Sequence, residues 1–133
     1  MAENRFVRTR NDHSQETAED YAELVFELRA EFGLARITDI AARMSVSNAT
    51  AAKVLVRLER EGLVTLPPRK GVHLTPTGES LALKCKARHD VVVEFLRALG
   101  VPPPAAEVDA EGMEHHVGEA TLGAMRKFLA GRS

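Results

Sequence analysis

The chain has 133 residues, 44% hydrophobic and 28% charged, with a net charge of −1. These are ordinary values for a soluble globular chain of one domain or two small subdomains, and the length excludes a large enzyme. No stretch approaches the roughly 18 apolar residues of a membrane span, Met1–Gln15 has no signal-like apolar region, and the single Cys85 excludes both an intramolecular disulfide and a thiolate-rich zinc site, so a cytoplasmic protein with no membrane association is expected.

Residues 1–15 have no apolar period and read as a mobile tail, although Arg5, Arg8 and Arg10 offer charge to a phosphate backbone. From Thr17, the apolar positions Tyr21, Leu24, Val25, Leu28 and Phe32 fall at helical spacing, with Thr17 as N-cap and Gly33 as the stop. Thr38 then caps a short predicted helix over 39–44, and Ser47 caps a second over 48–61, ended by Gly62. Two short helices joined by Ser45-Val46-Ser47 make a helix-turn-helix. Residues 63–66 and 72–75 are strand-like and flank Pro67-Pro68-Arg69-Lys70-Gly71, a turn with two cations at its tip, which predicts a two-stranded wing.

Thr75-Pro76 opens a further helix that runs to about Leu99, where Gly100 and Pro102-Pro103-Pro104 break it; helices over 105–117 and 120–129 follow. Three helices in fewer than 60 residues make a thin core that needs a partner surface, and a helical homodimer is the economical answer. The expected class is therefore mainly α: a mobile tail (1–15), a winged helix-turn-helix DNA-binding domain (16–75) and a helical dimerisation domain (76–133) on which most of the metal ligands considered below would lie.

Charge supports this division. Residues 1–35 carry 4 basic and 8 acidic side chains, 36–75 carry 7 and 3, and 76–133 carry 7 and 8, which leaves a basic middle between acidic flanks. Basic segments meet phosphate, whereas acidic clusters repel it unless a cation neutralises them. In the second helix of the helix-turn-helix, Ala51, Val54, Leu55 and Leu58 form an apolar stripe, while Thr50, Lys53 and Arg57 share the other side. Short hydroxyl and amide groups at Ser47, Asn48 and Thr50 suit base edges, and Lys53, Arg57 and the wing's Arg69 and Lys70 suit phosphates. These residues are the expected contacts to double-stranded DNA. An ordinary amphipathic helix would look similar on its own; the capped turn before it and the basic hairpin after it favour DNA.

A second constellation comprises Asp20 and Glu23 (i, i+3), His89, and Glu111, Glu114 and His115 (i, i+3, i+4). Four carboxylates and two imidazoles without sulfur suit hard or borderline divalent ions, Mn²⁺ or Fe²⁺ first and Zn²⁺ or Co²⁺ less selectively. On spacing alone, solvated acidic helix faces are the better account of these residues, because Glu pairs at i and i+3 are common on any helix. His116 and Cys85 are left over, and read as a surface or supporting residue and a packed thiol.

The order of these pieces resembles the diphtheria-toxin-repressor class of metalloregulators, and within it the short manganese-responsive branch. The stretches that carry the likeness are Glu19-Asp20-Tyr21-Ala22-Glu23, Ile37-Thr38-Asp39-Ile40-Ala41-Ala42-Arg43-Met44, Arg57-Leu58-Glu59-Arg60-Glu61-Gly62-Leu63-Val64, Gly71-Val72-His73-Leu74-Thr75, Arg88-His89-Asp90 and, most specifically, Asp109-Ala110-Glu111-Gly112-Met113-Glu114-His115-His116. The likeness spans Glu16 to Leu129. It implies a repressor that binds a palindromic operator as a metal-loaded homodimer and governs metal homeostasis. It also implies two Mn²⁺ ions per subunit, with Asp20 and His89 on one, Glu111 and His115 on the other, and Glu23 and Glu114 bridging. Iron-responsive relatives carry Met and Cys where this chain has Asp20 and Glu111, so hard oxygen replaces soft sulfur at both positions and favours manganese. The likeness further implies metal-linked pre-organisation of the recognition helices, and the absence of the SH3-like C-terminal domain of longer relatives. A regulator responding to iron or another divalent ion on the same fold, a winged-helix regulator responding to a small organic ligand, and a small dinuclear metal hydrolase are the alternatives.

Overall fold

In the computed structural model the backbone is described for residues 5–132 and the side chains for 13–132. Ala18, Tyr21, Ala22, Val25 and Leu28 recur every three or four residues and are all buried, and this stripe fixes helix α1 (Arg5–Phe32) against its core. The helix starts well before the expected Thr17, so residues 5–15 are helical and not a tail lacking regular structure. No Gly or Pro interrupts them, and a helix nucleated by the buried turns propagates at little further cost. Residues 1–4 and the side chains of Arg5, Arg8 and Arg10 lie outside the described residues. Gly33 ends α1 at φ 74°, its N–H donating to Arg29 O at 2.9 Å.

Helix α2 (Ile37–Met44) begins at Ile37, with Arg36 as a cap that contributes no side-chain bond; Thr38 lies inside the helix and does not cap it. Tertiary anchoring sets this start: Val72 N–H donates to Ala35 O (2.7 Å), and Ile40 N–H closes the first turn on Arg36 O (3.0 Å). Ser45 turns the chain in the left-handed region (φ 57°), and Val46 N–H returns to Ala41 O. Ser47 then caps α3 (Asn48–Arg60) as its sequence predicts, its Oγ accepting from Thr50 N–H at 3.1 Å.

The wing is shorter than expected: β1 (Val64–Thr65) pairs antiparallel with β2 (His73–Leu74), Val64 opposite Leu74 and Thr65 opposite His73. The outer residues are engaged elsewhere, Leu66 N–H with Glu59 Oε2 (3.1 Å) and Val72 N–H with Ala35 O. Thr75 fastens the wing to α4 (Pro76–Ala98): its N–H donates to Leu63 O, its hydroxyl donates to Gly62 O (2.6 Å) and accepts from Gly78 N–H (3.0 Å). Glu16–Leu83 pack as one compact unit around Tyr21, Val25, Leu28, Ile40, Leu55, Leu58 and Val72.

The other unit, among the described residues, comprises 84–132 together with 5–15. Here Val92, Val93 and Leu96 of α4 pack with Ala106 and Ala110 of α5 (Pro103–Met113) and Leu122 and Met125 of α6 (Glu119–Ala130), and Phe95 meets Phe128 edge-on at 5.4 Å. Helix α5 starts two residues earlier than expected, because the fixed φ of Pro103 suits a first helical position, and it ends at Met113, short of Val117. Val117 packs on this second core, and the chain reaches it by a turn over 114–116 before Gly118 caps α6. Among the described residues no helix is long and apolar enough to cross a membrane.

Candidate metal centre and nucleic-acid interface

Helix α5 presents Glu107 and Glu111 one turn apart, and Glu114, still helical in backbone (φ −59°, ψ −30°), continues the same face. This face meets His89 of α4. The His89 Nδ1 lies 2.6 Å from Glu114 Oε2 and 3.8 Å from Glu111 Oε1, while Nε2 lies 2.8 Å from Glu107 Oε2. Glu114 Oε1 stands 3.6 Å from His115 Nε2 and accepts no hydrogen bond among the described residues. One donor atom each from His89, Glu111 and Glu114 fall within 4.8 Å of one another. The second carboxylate oxygen of Glu114 is thus a buried acceptor beside an imidazole and another carboxylate, which is the donor chemistry a divalent cation satisfies.

The electrostatics agree. Glu114 is 1% exposed, and burial raises its carboxyl from an ordinary 4.5 to about 7, against the lowering pull of the His89 charge and hydrogen bond. Burial works to lower the His89 imidazole, but its bonds to Glu107 and Glu114 and the charges of Glu114 and Glu111 outweigh that, and its pKa is raised. A cation at this centre would replace the His89 proton and neutralise a carboxylate that burial otherwise disfavours.

Of the six sequence-predicted ligands, the structure brings His89, Glu111, Glu114 and His115 together. Asp20 and Glu23 stand half-buried, three residues apart on α1 in the unit Glu16–Leu83. Glu107 was not anticipated, although its spacing of four before Glu111 and seven before Glu114 is itself a helical signature. His116 is exposed and Cys85 is buried.

On α3, Asn48, Thr50 and Lys53 are exposed, and Ala49, Ala52, Lys53, Val56, Arg57 and Arg60 line one open surface where small alanines permit close approach. The Ser47 hydroxyl is committed to the cap, accepting from Thr50 N–H and donating to Thr50 Oγ1 at 3.0 Å. Arg57 is half-buried and bridges Glu61 within its own helix at 3.4 Å. Arg69 and Lys70 are exposed at the wing tip, Arg69 in the left-handed region at φ 63°.

Comparison with known proteins sets these two features side by side. Residues 13–72 match the family described as iron dependent repressor, N-terminal DNA binding domain, and residues 75–132 match its metal binding and dimerisation domain. The transcriptional regulator MntR of Escherichia coli O6:H1 is 50% identical over 123 residues, covering 92% of this chain and 79% of that protein. The HTH-type transcriptional regulator MntR of Lysinibacillus sphaericus is 36% identical over 99 residues, covering 74% and 71%. Among solved structures, the manganese regulator SloR superposes with a TM-score of 0.74 at 28% identity over 86% of this chain. A manganese-dependent transcriptional repressor in complex with manganese superposes with 0.72 at 27% identity over the same share. The chain spans about half the length of these two solved structures, 54% and 53%.

Proposed function

The chain belongs to the iron-dependent repressor family, and from that membership we propose that it is a manganese-responsive transcriptional repressor acting as a metal-loaded homodimer on a palindromic operator. That it is a metal-responsive transcriptional regulator, and not an enzyme, follows from relatives at 50% identity that are transcriptional regulators; the hydrolase alternative is set aside on that ground. The observation that carries the metal reading is the His89–Glu111–Glu114 cluster, with a carboxylate buried at its centre. Manganese is favoured over Fe²⁺, Co²⁺ or Zn²⁺ because the donors are oxygen and imidazole nitrogen without sulfur.

The proposed ligands are Asp20, Glu23, His89, Glu111, Glu114 and His115, serving two ions per subunit. The proposed DNA contacts are Asn48, Thr50, Lys53, Arg57, Arg69 and Lys70, with Ser47 acting through the cap it forms. Bound metal supplies positive charge that relieves repulsion among the carboxylates. A protein ordered in this way loses less conformational freedom when its recognition helices meet DNA, so metal and operator strengthen each other's binding. The proposed division assigns 16–75 to DNA, with Asp20 and Glu23 lent to the metal, and 76–133 to dimerisation and the other four ligands.

The test is the affinity of metal-stripped protein for a palindromic duplex selected from a random pool, titrated with Mn²⁺, Fe²⁺, Co²⁺ and Zn²⁺. The expected result is tight binding only with metal, with Mn²⁺ effective. Equal affinity with and without any ion would refute the proposal.

A further inference from the structure

The ligand set above leaves Glu107 without a role. Its side chain is 59% exposed, yet its Oε2 lies 2.8 Å from His89 Nε2, within hydrogen-bond distance. The other ring nitrogen, Nδ1, is the one turned toward Glu114 and Glu111. An imidazole binds a metal only through a nitrogen that carries no proton, and the neutral ring keeps its single proton on one nitrogen or the other. Which nitrogen is left free is decided by the hydrogen bond the opposite one makes.

Resting on the metal-centre reading, we propose that Glu107 is a positioning residue, whose carboxylate accepts the Nε2–H of His89 and holds the ring in the tautomer and orientation that present Nδ1 to a divalent cation shared with Glu111 and Glu114. Glu107 is not simply a further ligand to that cation. The two nitrogens of an imidazole point away from each other, and the atoms that gather within 4.8 Å come from His89, Glu111 and Glu114, without Glu107. Helical spacing explains how one helix serves both sides of the ring: Glu107 and Glu111 are a full turn apart, so they flank His89 from two levels of α5. Because Glu107 is largely exposed, its removal opens no cavity, and a substitution there isolates the orienting contact.

The test uses the full chain. Mn²⁺ affinity of metal-stripped protein is measured calorimetrically for wild type, Glu107→Ala, Glu107→Gln and His89→Ala, with unfolding midpoints of the metal-free forms. The ring nitrogens of His89 are read by ¹⁵N NMR in protein loaded with diamagnetic Zn²⁺. Glu107→Ala is expected to weaken Mn²⁺ binding roughly 10- to 100-fold with an unchanged metal-free midpoint. Glu107→Gln, whose amide oxygen accepts the same N–H, should recover most of that loss. Wild-type spectra should show the proton on Nε2 and the metal on Nδ1, and Glu107→Ala should lose that single assignment. Full affinity in Glu107→Ala, equal loss in Glu107→Gln, or metal on Nε2 in the wild type would overturn the proposal. If His89→Ala kept its Mn²⁺ affinity, the metal centre itself would fall; loss in His89→Ala with none in Glu107→Ala would remove only the role of Glu107.

Discussion

Replacing Glu114 by Gln should make the metal-free protein more stable above neutral pH while abolishing its response to metal. Burial raises the Glu114 carboxyl from 4.5 to about 7, so the native state holds that proton more tightly than the unfolded chain does. Below about pH 4.5 both states are protonated and no penalty exists. Between the two values the unfolded chain ionises first and native stability falls, and above about 7 the full penalty is present. The rise from 4.5 to about 7, at about 1.4 kcal/mol for each tenfold change, corresponds to about 3.5 kcal/mol. Gln has nearly the shape of the protonated acid and carries none of this penalty. Denaturant unfolding with a chelator present, at matched protein concentration, should therefore give similar stabilities at pH 4, with the variant ahead by about 3 kcal/mol at pH 8. Mn²⁺ at about one hundred times its dissociation constant should then add about 2.7 kcal/mol to the wild type and leave the variant unmoved. A gap independent of pH, or a variant less stable at pH 8, would refute the reasoning.

Three further outcomes are expected. Lys53→Ala, on the exposed surface of α3, should weaken operator binding at every salt concentration and lower the slope of log affinity against log salt by about 1; wild-type affinity and slope would exclude α3 from the DNA. Gly78→Ala would set a Cβ 2.0 Å from Leu63 O, the same oxygen that accepts from Thr75 N–H, so thermal unfolding should show a loss of about 2 kcal/mol or more; a change within about 0.5 kcal/mol would mean that the wing anchor yields freely. Asp20→Met with Glu111→Cys should move activation from Mn²⁺ toward Fe²⁺, Co²⁺ and Zn²⁺ in operator binding under reducing conditions, because Mn²⁺ stands lowest in the divalent affinity order and gains little from sulfur ligands. An unchanged Mn²⁺ response would show that neither residue is a ligand.

The features legible in sequence were those with a local cause. Ser47 caps α3, Gly62 ends its approach to β1 and Thr75-Pro76 starts α4, because each depends on bonds within a few residues. The apolar stripe of α1 and the acidic, histidine-bearing stretch 111–115 were visible for the same reason, since helical periodicity is written in the residues themselves. What could not be read was set by contacts between distant segments. The start of α2 depends on Val72 holding Ala35, the brevity of the wing on Glu59 taking the Leu66 N–H, and the end of α5 on Val117 seeking the second core. At the metal centre, sequence alone determined which donor atoms are available: oxygen and imidazole nitrogen, without sulfur. Only the tertiary structure decided that His89 of α4 lies between Glu107 and Glu114, 18 and 25 residues away along the chain. The packing of α4 against α5 places one nitrogen of the ring against an exposed carboxylate and the other against a buried one, and no local pattern contains that asymmetry.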